Sequence, residues 1–309
     1  IDECYTDDSG KGKFHYQPPT GYLALCEDNL PTPTIADPGK HFKCVTYTGD
    51  SNYGHSITGV GFQPDLVWLK CRDNGKWHAL VDSVRGNHKT LFSNSDSAQV
   101  TETHISSFNS NGFTVADIDS GTANENGFDY VAWCWKAGGN SNTFNVDGTG
   151  YSTASAAGLD SGTITPTGAS VGTESGFSIL TYTGNGTAGA NISHGLSKAP
   201  ELMIHKSRDN NKAWYTITTA VDGSADYLYL NSTVPANDSA VTVPTSNLMY
   251  FTSSNESNFL DEDYVVYMWH SVENFSKVGT YIGNGLDDGP MIVCGFKPAW
   301  VMVKRLTTG

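Results

Sequence analysis

Consecutive apolar residues are scarce along this 309-residue chain: no run approaches the ~20 that a membrane-spanning helix requires. Membrane insertion is not expected. Helical periodicity is missing too, since no twelve-residue segment carries an apolar stripe at three- and four-residue intervals. Basic residues are few, 18 against 32 acidic ones, and the resulting net charge of −14 is scattered rather than blocked, so the general field repels phosphate backbones. Nucleic acid is not an expected partner. No CxxC pair occurs, so neither a metal nor a cofactor is expected. The six cysteines permit disulfides, but a chain of this size does not need such staples, and reduced, buried thiols are expected. Residue 1 is Ile rather than Met, no signal-peptide pattern follows it, and the final KRLTTG carries no terminal signal. An excerpt of a longer polypeptide is the expectation.

What is abundant is Gly, Ser, Thr and Asn, with aromatics at 11 %, a share that a disordered chain would not use. Together they point to many short strands joined by tight turns.

The chain also repeats itself. VTYTGD (residues 45–50) returns as LTYTGN (180–185), and again as GTYIGN (279–284). Matched words follow in the same order, the signature of duplicated units. GFQPDLVWLKCRDNGKW (61–77) faces KAPELMIHKSRDNNKAW (198–214), LFSNS (91–95) faces LYLNS (228–232), and FDYVAWCWK (128–136) faces EDYVVYMWH (262–270). A third copy starts at VGTYIGNG (278–285) and reaches GFKPAWVMVKR (295–305). In this alignment Cys44, Cys71 and Cys134 stand opposite Ile179, Ser207 and Met268, which disfavours a structural disulfide. Trp77 stands opposite Trp214, His78 opposite Tyr215 and Leu69 opposite His205, an exchange of histidines that metal ligands would not tolerate.

Within a unit, HFKCVTYTG has the β-branched and aromatic content of a strand. PDLVWLK and PELMIHK are short continuous apolar runs, as expected of strands covered on both faces. In YVAWCW, Val131, Trp133 and Trp135 share one face and Tyr130, Ala132 and Cys134 the other, so an interior strand is predicted. About eight strands per unit suit an all-β fold of tandem antiparallel β-sandwiches of jelly-roll type. The expected division is a Pro-rich extended segment at 1–40, sandwich repeats at 41–138 and 176–277, a Gly/Ser/Thr linker at 139–175 that is exposed apart from a hairpin around Asp147 and Gly148, and the start of a third repeat at 278–309.

PPTGYLALCEDNLPTPTI resembles the segment that closes a SPRY-like (concanavalin-type) sandwich in structural proteins of marine bacteriophages. KHFKCVTYTGD, GVGFQPDLVWLK and DYVAWCWKAGG resemble the repeat of unknown function that follows it. The resemblance implies a virion component, a tail fibre or tail tip protein that meets the host surface, and implies no catalytic residues. Only the final stretch of a SPRY portion would lie here, at residues 1–30.

Several residue groups have side chains suited to chemistry. His55 and Ser56 are adjacent, but no Gly-x-Ser-x-Gly elbow follows, and neighbours on a strand point apart. Asp117 with Asp119, or the run Asp261, Glu262 and Asp263, could serve a glycosidase or bind calcium; a solvated loop of an acidic protein is the simpler reading, since neither run matches a calcium loop. The six Asn-x-Ser/Thr sequons are about as many as chance supplies. Two loops remain. Arg72, Asp73 and Asn74 precede Trp77, and Arg208, Asp209 and Asn210 precede Trp214. An exposed Trp can stack on a sugar ring while Arg, Asp and Asn hold its hydroxyls, so these loops are candidate glycan contacts. The alternative, which carries more weight because Trp is highly buried on average, is that both are core anchors.

The functional expectation is therefore a non-enzymatic virion segment that contacts other virion proteins and a host surface polysaccharide, with several copies supplying avidity. A homotrimer follows from the closed rotational symmetry usual in fibres. Scaffolding or decoration of the head is the alternative, and a polysaccharide depolymerase with paired carboxylates is the least favoured.

Overall fold

The computed structural model describes residues 4–29, 33–116, 121–139, 142–252 and 256–307. These fall into two compact units, 1–36 and 37–309. The first is not the extended tail expected from its prolines. Tyr5 and Phe14 bridge antiparallel, and the Asp7 carboxylate accepts bonds from the backbone of Ser9, Lys11 and Ala24 and from the Asn29 amide, at 2.6–2.9 Å. Burial opposes ionisation of Asp7, but these donors outweigh it and hold its carboxyl well below the usual range.

Among the described residues, the second unit is all-β apart from one 3-10 turn, Pro38–Lys40. Repeat 1 comprises β1 (Phe42–Thr48), β2 (His55–Thr58), β3 (Leu66–Cys71), β4 (Ala79–Asp82), β5 (Lys89–Phe92), β6 (Val100–Thr101), β7 (Ile105–Asn109), β8 (Gly112–Val115) and β9 (Asp129–Trp135). After it come β10 (Phe144–Val146), β11 (Thr149–Tyr151) and β12 (Gly168–Gly172). Repeat 2 comprises β13 (Phe177–Thr183), β14 (Asn191–Ser193), β15 (Leu202–Ser207), β16 (Tyr215–Thr218), β17 (Asp226–Tyr229), β18 (Asn237–Asp238), β19 (Leu248–Tyr250) and β20 (Asp263–Trp269).

The large sheets have matching orders, β1-β9-β3-β4-β5-β6 and, within a longer sheet, β13-β20-β15-β16-β17-β18. The repeated words therefore occupy the same positions. Tyr47 stacks on Tyr130 at 5.1 Å and donates to Ala123 O at 2.6 Å; Tyr182 stacks on Tyr264 at 5.4 Å and donates to Ser257 O at 2.6 Å. The glycine that follows is needed because the chain passes so closely: a Cβ at Gly49 would lie 2.2 Å from Glu125 O, and one at Gly184 2.2 Å from Phe259 O.

Alternation along β3, β9, β15 and β20 sends side chains to two cores each. On one side, Val67, Leu69, Ala132 and Cys134 meet the small sheet β2-β8-β7; correspondingly, Met203, Tyr264, Val266 and Met268 meet β14-β19. On the other side, Leu66, Trp68, Leu80 and Trp135 join Ile204, Trp214, Val265 and Tyr267 in one shared cluster. The repeats are thus parts of one body rather than independent modules, because each presents a second apolar face that packs against the other.

Two expectations are corrected. The 139–175 segment is no exposed linker: β12 is buried along its length and pairs with β13, and Ala154, Leu159 and Ile164 enter the core of repeat 2. Small residues there let the strand sit close against its neighbours. The hairpin is present, with Asp147 and Gly148 both at positive φ between β10 and β11. Of the six cysteines, all free, only Cys71 and Cys134 are buried. Cys44 is exposed because it lies on an open face of β1, the edge strand of its sheet.

Candidate functional site

The two candidate loops are the β3–β4 and β15–β16 hairpin turns. Their registers, Leu66↔Asp82 with Trp68↔Leu80 and Leu202↔Thr218 with Ile204↔Thr216, make Arg72, Asp73 and Asn74 the equivalents of Arg208, Asp209 and Asn210. They also pair Trp77 with Ala213, and His78 with Trp214. The hydrogen bonds agree: the His78 N–H donates to Asn94 Oδ1 at 2.9 Å and the Trp214 N–H to Asn231 Oδ1 at 3.0 Å. The sequence pairing of the two tryptophans is therefore one residue out. Since consecutive residues of an extended chain face opposite sides, that slip separates solvent from core.

Trp214 is fully buried, and its indole Nε1 donates to Phe92 O at 2.9 Å and Ser95 O at 3.0 Å across the interface with repeat 1. It stacks on Tyr267 at 6.5 Å. As a sugar platform it is ruled out; it anchors the core. Trp77 is 47 % exposed, propped edge-on against Phe92 at 4.8 Å. It forms one wall of an open cleft of about 340 Å³ lined also by Lys76, Val100, Glu102 and Thr122. The β4-β5-β6 meander brings Phe92 and Val100 together with Lys76, Trp77 and Glu102 at its ends, Thr122 joins them from the β8–β9 connection, and no signal in the sequence links them.

The Arg-Asp-Asn triplets are accounted for by turn building. Asp73 Oδ2 accepts the Asp129 N–H at 2.5 Å, and Asp209 Oδ2 the Asp263 N–H at 2.7 Å. The Arg72 and Arg208 N–H groups donate to Asp129 O and Asp263 O at 2.8 Å. Lys70 and Lys206 close each turn from below through the carbonyls of Asn74 and Asn210. The Arg72 side chain is exposed, whereas Arg208 is half-buried with its Nε 3.2 Å from Gln99 Oε1.

The other candidates are likewise structural. Glu262 is buried and accepts from Ser207 Oγ, while Asp263 Oδ1 accepts from Thr183 Oγ1 at 2.7 Å. His55 Nδ1 lies 3.0 Å from Asn124 Oδ1. Asp117 and Asp119 lie outside the described residues. Among the described residues no group of three His, Cys, Asp or Glu side chains is placed to hold a metal, and no helix is long and apolar enough to cross a membrane.

Several buried titratable groups lie in the cores and have identifiable packing roles. Asp82 and Arg85 pair at 2.5 Å, and the Tyr267 hydroxyl donates to Asp82 Oδ2 at 2.7 Å while accepting from Arg85 at 3.1 Å, which ties the two repeats together. Asp65 accepts from Ser83, Ala137, Ser170 and Gly139 at 2.7–3.0 Å; its burial nevertheless pushes its pKa upward. The Tyr182 hydroxyl gives its proton to Ser257 O, so it accepts from His205 Nδ1 at 3.2 Å. That leaves His205 Nε2 bare in the core, and burial lowers the imidazole pKa to about 3.

The arrangement offers a surface for binding, with an aromatic wall and flanking polar groups. Residues 37–309 match a domain of unknown function (DUF7483). The chain belongs to that family. No curated protein and no solved structure matches it. Within this DUF7483 domain, the Trp77 cleft is the candidate site.

Proposed function

We propose that the chain is a structural segment of a bacteriophage particle, of tail fibre or tail tip, and that the Trp77 cleft contributes a carbohydrate contact to host attachment. The observation that carries this reading is the half-exposed indole fixed against Phe92 beside Lys76, Glu102 and Thr122. A ring held at that angle offers its face to a sugar at little entropic cost, and the neighbouring charges and hydroxyl suit sugar hydroxyls. The virion assignment rests on the resemblance of the repeat words to phage structural proteins. Titration calorimetry of the chain against surface polysaccharide of a bacterial host is the test. Trp77→Ala should weaken binding about tenfold, roughly 1.4 kcal/mol, with an unchanged melting temperature. Binding indifferent to Trp77→Ala would remove the site, and no binding by the unaltered chain would remove the adhesive role.

A second reading, scaffolding or decoration, is favoured by a different observation. Ile282, Met291, Val301 and Val303 are 91, 90, 67 and 61 % exposed, an apolar display suited to contacts with other coat components. Imaging of the assembled particle separates the two.

A further inference from the structure

Repeat 1 grips repeat 2 in a head-to-tail manner. The stretch after β5 supplies Asp96 O to Lys206 Nζ at 3.1 Å, the Gln99 N–H to Arg208 O at 2.9 Å, and the Ala98 N–H to Asn211 Oδ1 at 3.0 Å. The equivalent stretch of repeat 2 makes the corresponding backbone bond to the third copy, with the lysine contact one residue earlier, at the equivalent of Ser95. The Ala236 N–H donates to Leu306 O at 2.8 Å, and Lys304 Nζ donates to Ser232 O. Counting from Pro64, Pro200 and Pro298, Lys304 and Leu306 are the equivalents of Lys206 and Arg208. One interface therefore occurs twice in succession.

The third copy also enters the shared core at the right positions. Trp300 and Met302, equivalent to Leu66 and Trp68 and to Leu202 and Ile204, pack on the same cluster, with Trp300 6.4, 6.2 and 5.1 Å from the rings of Phe42, Trp68 and Trp135. Val301 and Val303 face away and are exposed, whereas their equivalents Val67, Leu69, Met203 and His205 are buried.

The corresponding turn of repeat 1 has fewer contacts. Lys206 has a carbonyl from repeat 1 as well as two from its own turn; Lys70 has the two from its own turn, and Arg72 beside it is exposed. On the core-facing side of the sheet, Ile179, Val265 and Tyr267 are buried, while their equivalents Cys44, Val131 and Trp133 are exposed or half-buried.

We infer that the repeats are built to surround a three-sided core, and that the Lys70–Arg72 turn, with the open face of β1 and β9, is the docking surface for a third complete repeat of the same pattern. A heterologous head-to-tail contact closes into a ring when its rotation permits. Here the third member already touches the first through Trp300. The Trp77 side chain points to the opposite side of the chain from His78, so this inference does not depend on carbohydrate binding.

The experiment supplies the occupant. Residues 210–277, which follow the equivalent of Thr307 in repeat 2, are appended after Thr307, and amide exchange is compared with that of the 309-residue chain. Exchange should slow by about tenfold or more in residues 42–47, 70–76 and 299–305 together. Protection at 299–305 alone would mean an open stack, and protection at none of them would mean no third repeat; either overturns the inference. So would protection of 70–76 that rises with concentration in the 309-residue chain, which would assign the surface to a second copy. Should the extended chain fail to fold, cross-linking within the 309-residue chain decides. Gln99→Cys with Arg208→Cys and Ala236→Cys with Leu306→Cys should each form a disulfide, located by peptide mapping, and absence of the second overturns the inference.

Discussion

Repeats 1 and 2 share strand order, turn chemistry and the Tyr–Tyr stack, yet differ at the positions that face something other than themselves. Trp77 and His78 in one become Ala213 and Trp214 in the other, and Asp82 becomes Thr218. β1 is half exposed along its length, whereas β13, with β12 on its far side, is buried in six of its seven residues. The residues retained in both copies build the sandwich. Those that diverge answer to what covers each copy from outside.

The largest break in this comparison should come at the tryptophans. Trp214→Ala removes an indole from the interface core and leaves Phe92 O and Ser95 O without their donor; a loss of about 3–5 kcal/mol is expected. Trp77→Ala, at an exposed position, should cost less than about 1 kcal/mol. Chemical denaturation of both variants checks the contrast, and comparable losses would mean that the two rings play the same part.

Next comes the tie between repeats. Asp82→Ala strands the Arg85 guanidinium in a site with no solvent exposure and should cost about 3–5 kcal/mol. Tyr267→Phe removes one hydroxyl and should cost about 1–3 kcal/mol. Thr218, which occupies the position of Asp82 in repeat 2, should tolerate Ala with less than about 1.5 kcal/mol lost. Urea midpoints for the three order these effects.

Smallest at neutral pH, and growing as the pH falls, is a pH effect confined to repeat 2. His205 has a pKa near 3 when folded against an unfolded value of 6.5, so the unfolded chain binds more protons between these limits. Stability is therefore present above pH 6.5 and lost as pH falls toward 3, by up to about 1.4 kcal/mol per pH unit. His205→Leu, the residue that repeat 1 has there, should flatten that part of the profile relative to the unaltered chain. It should also raise stability at neutral pH by about 1 kcal/mol, since it removes the unpartnered Nε2. Melting temperatures from pH 7 to pH 4 test it; parallel profiles would show that His205 is not the titrating group.

Much of the fold was legible because strand geometry is a local property. Period-two alternation located β9 and β20, continuous apolar runs located β3 and β15, and Asp-Gly located the β10–β11 hairpin. The candidate site was legible only in part. Trp77 is at the surface, but its partners Phe92, Val100 and Glu102 reach it through sheet pairing that no local spacing encodes. The 139–175 segment misled because Gly, Ser and Thr read as loop wherever their neighbours are unknown, while β12 uses their small size to lie buried against β13.

By itself the sequence determined that the chain repeats, that its elements are strands, and which faces of those strands are apolar, since propensity and alternation act within a few residues. Tertiary structure alone decided that the second apolar faces meet each other in one core, and that of two tryptophans in look-alike words one is solvent-facing and the other sealed. The reason is physical: a strand's side chains reverse face at every residue, so a shift of one, invisible in composition, exchanges inside for outside.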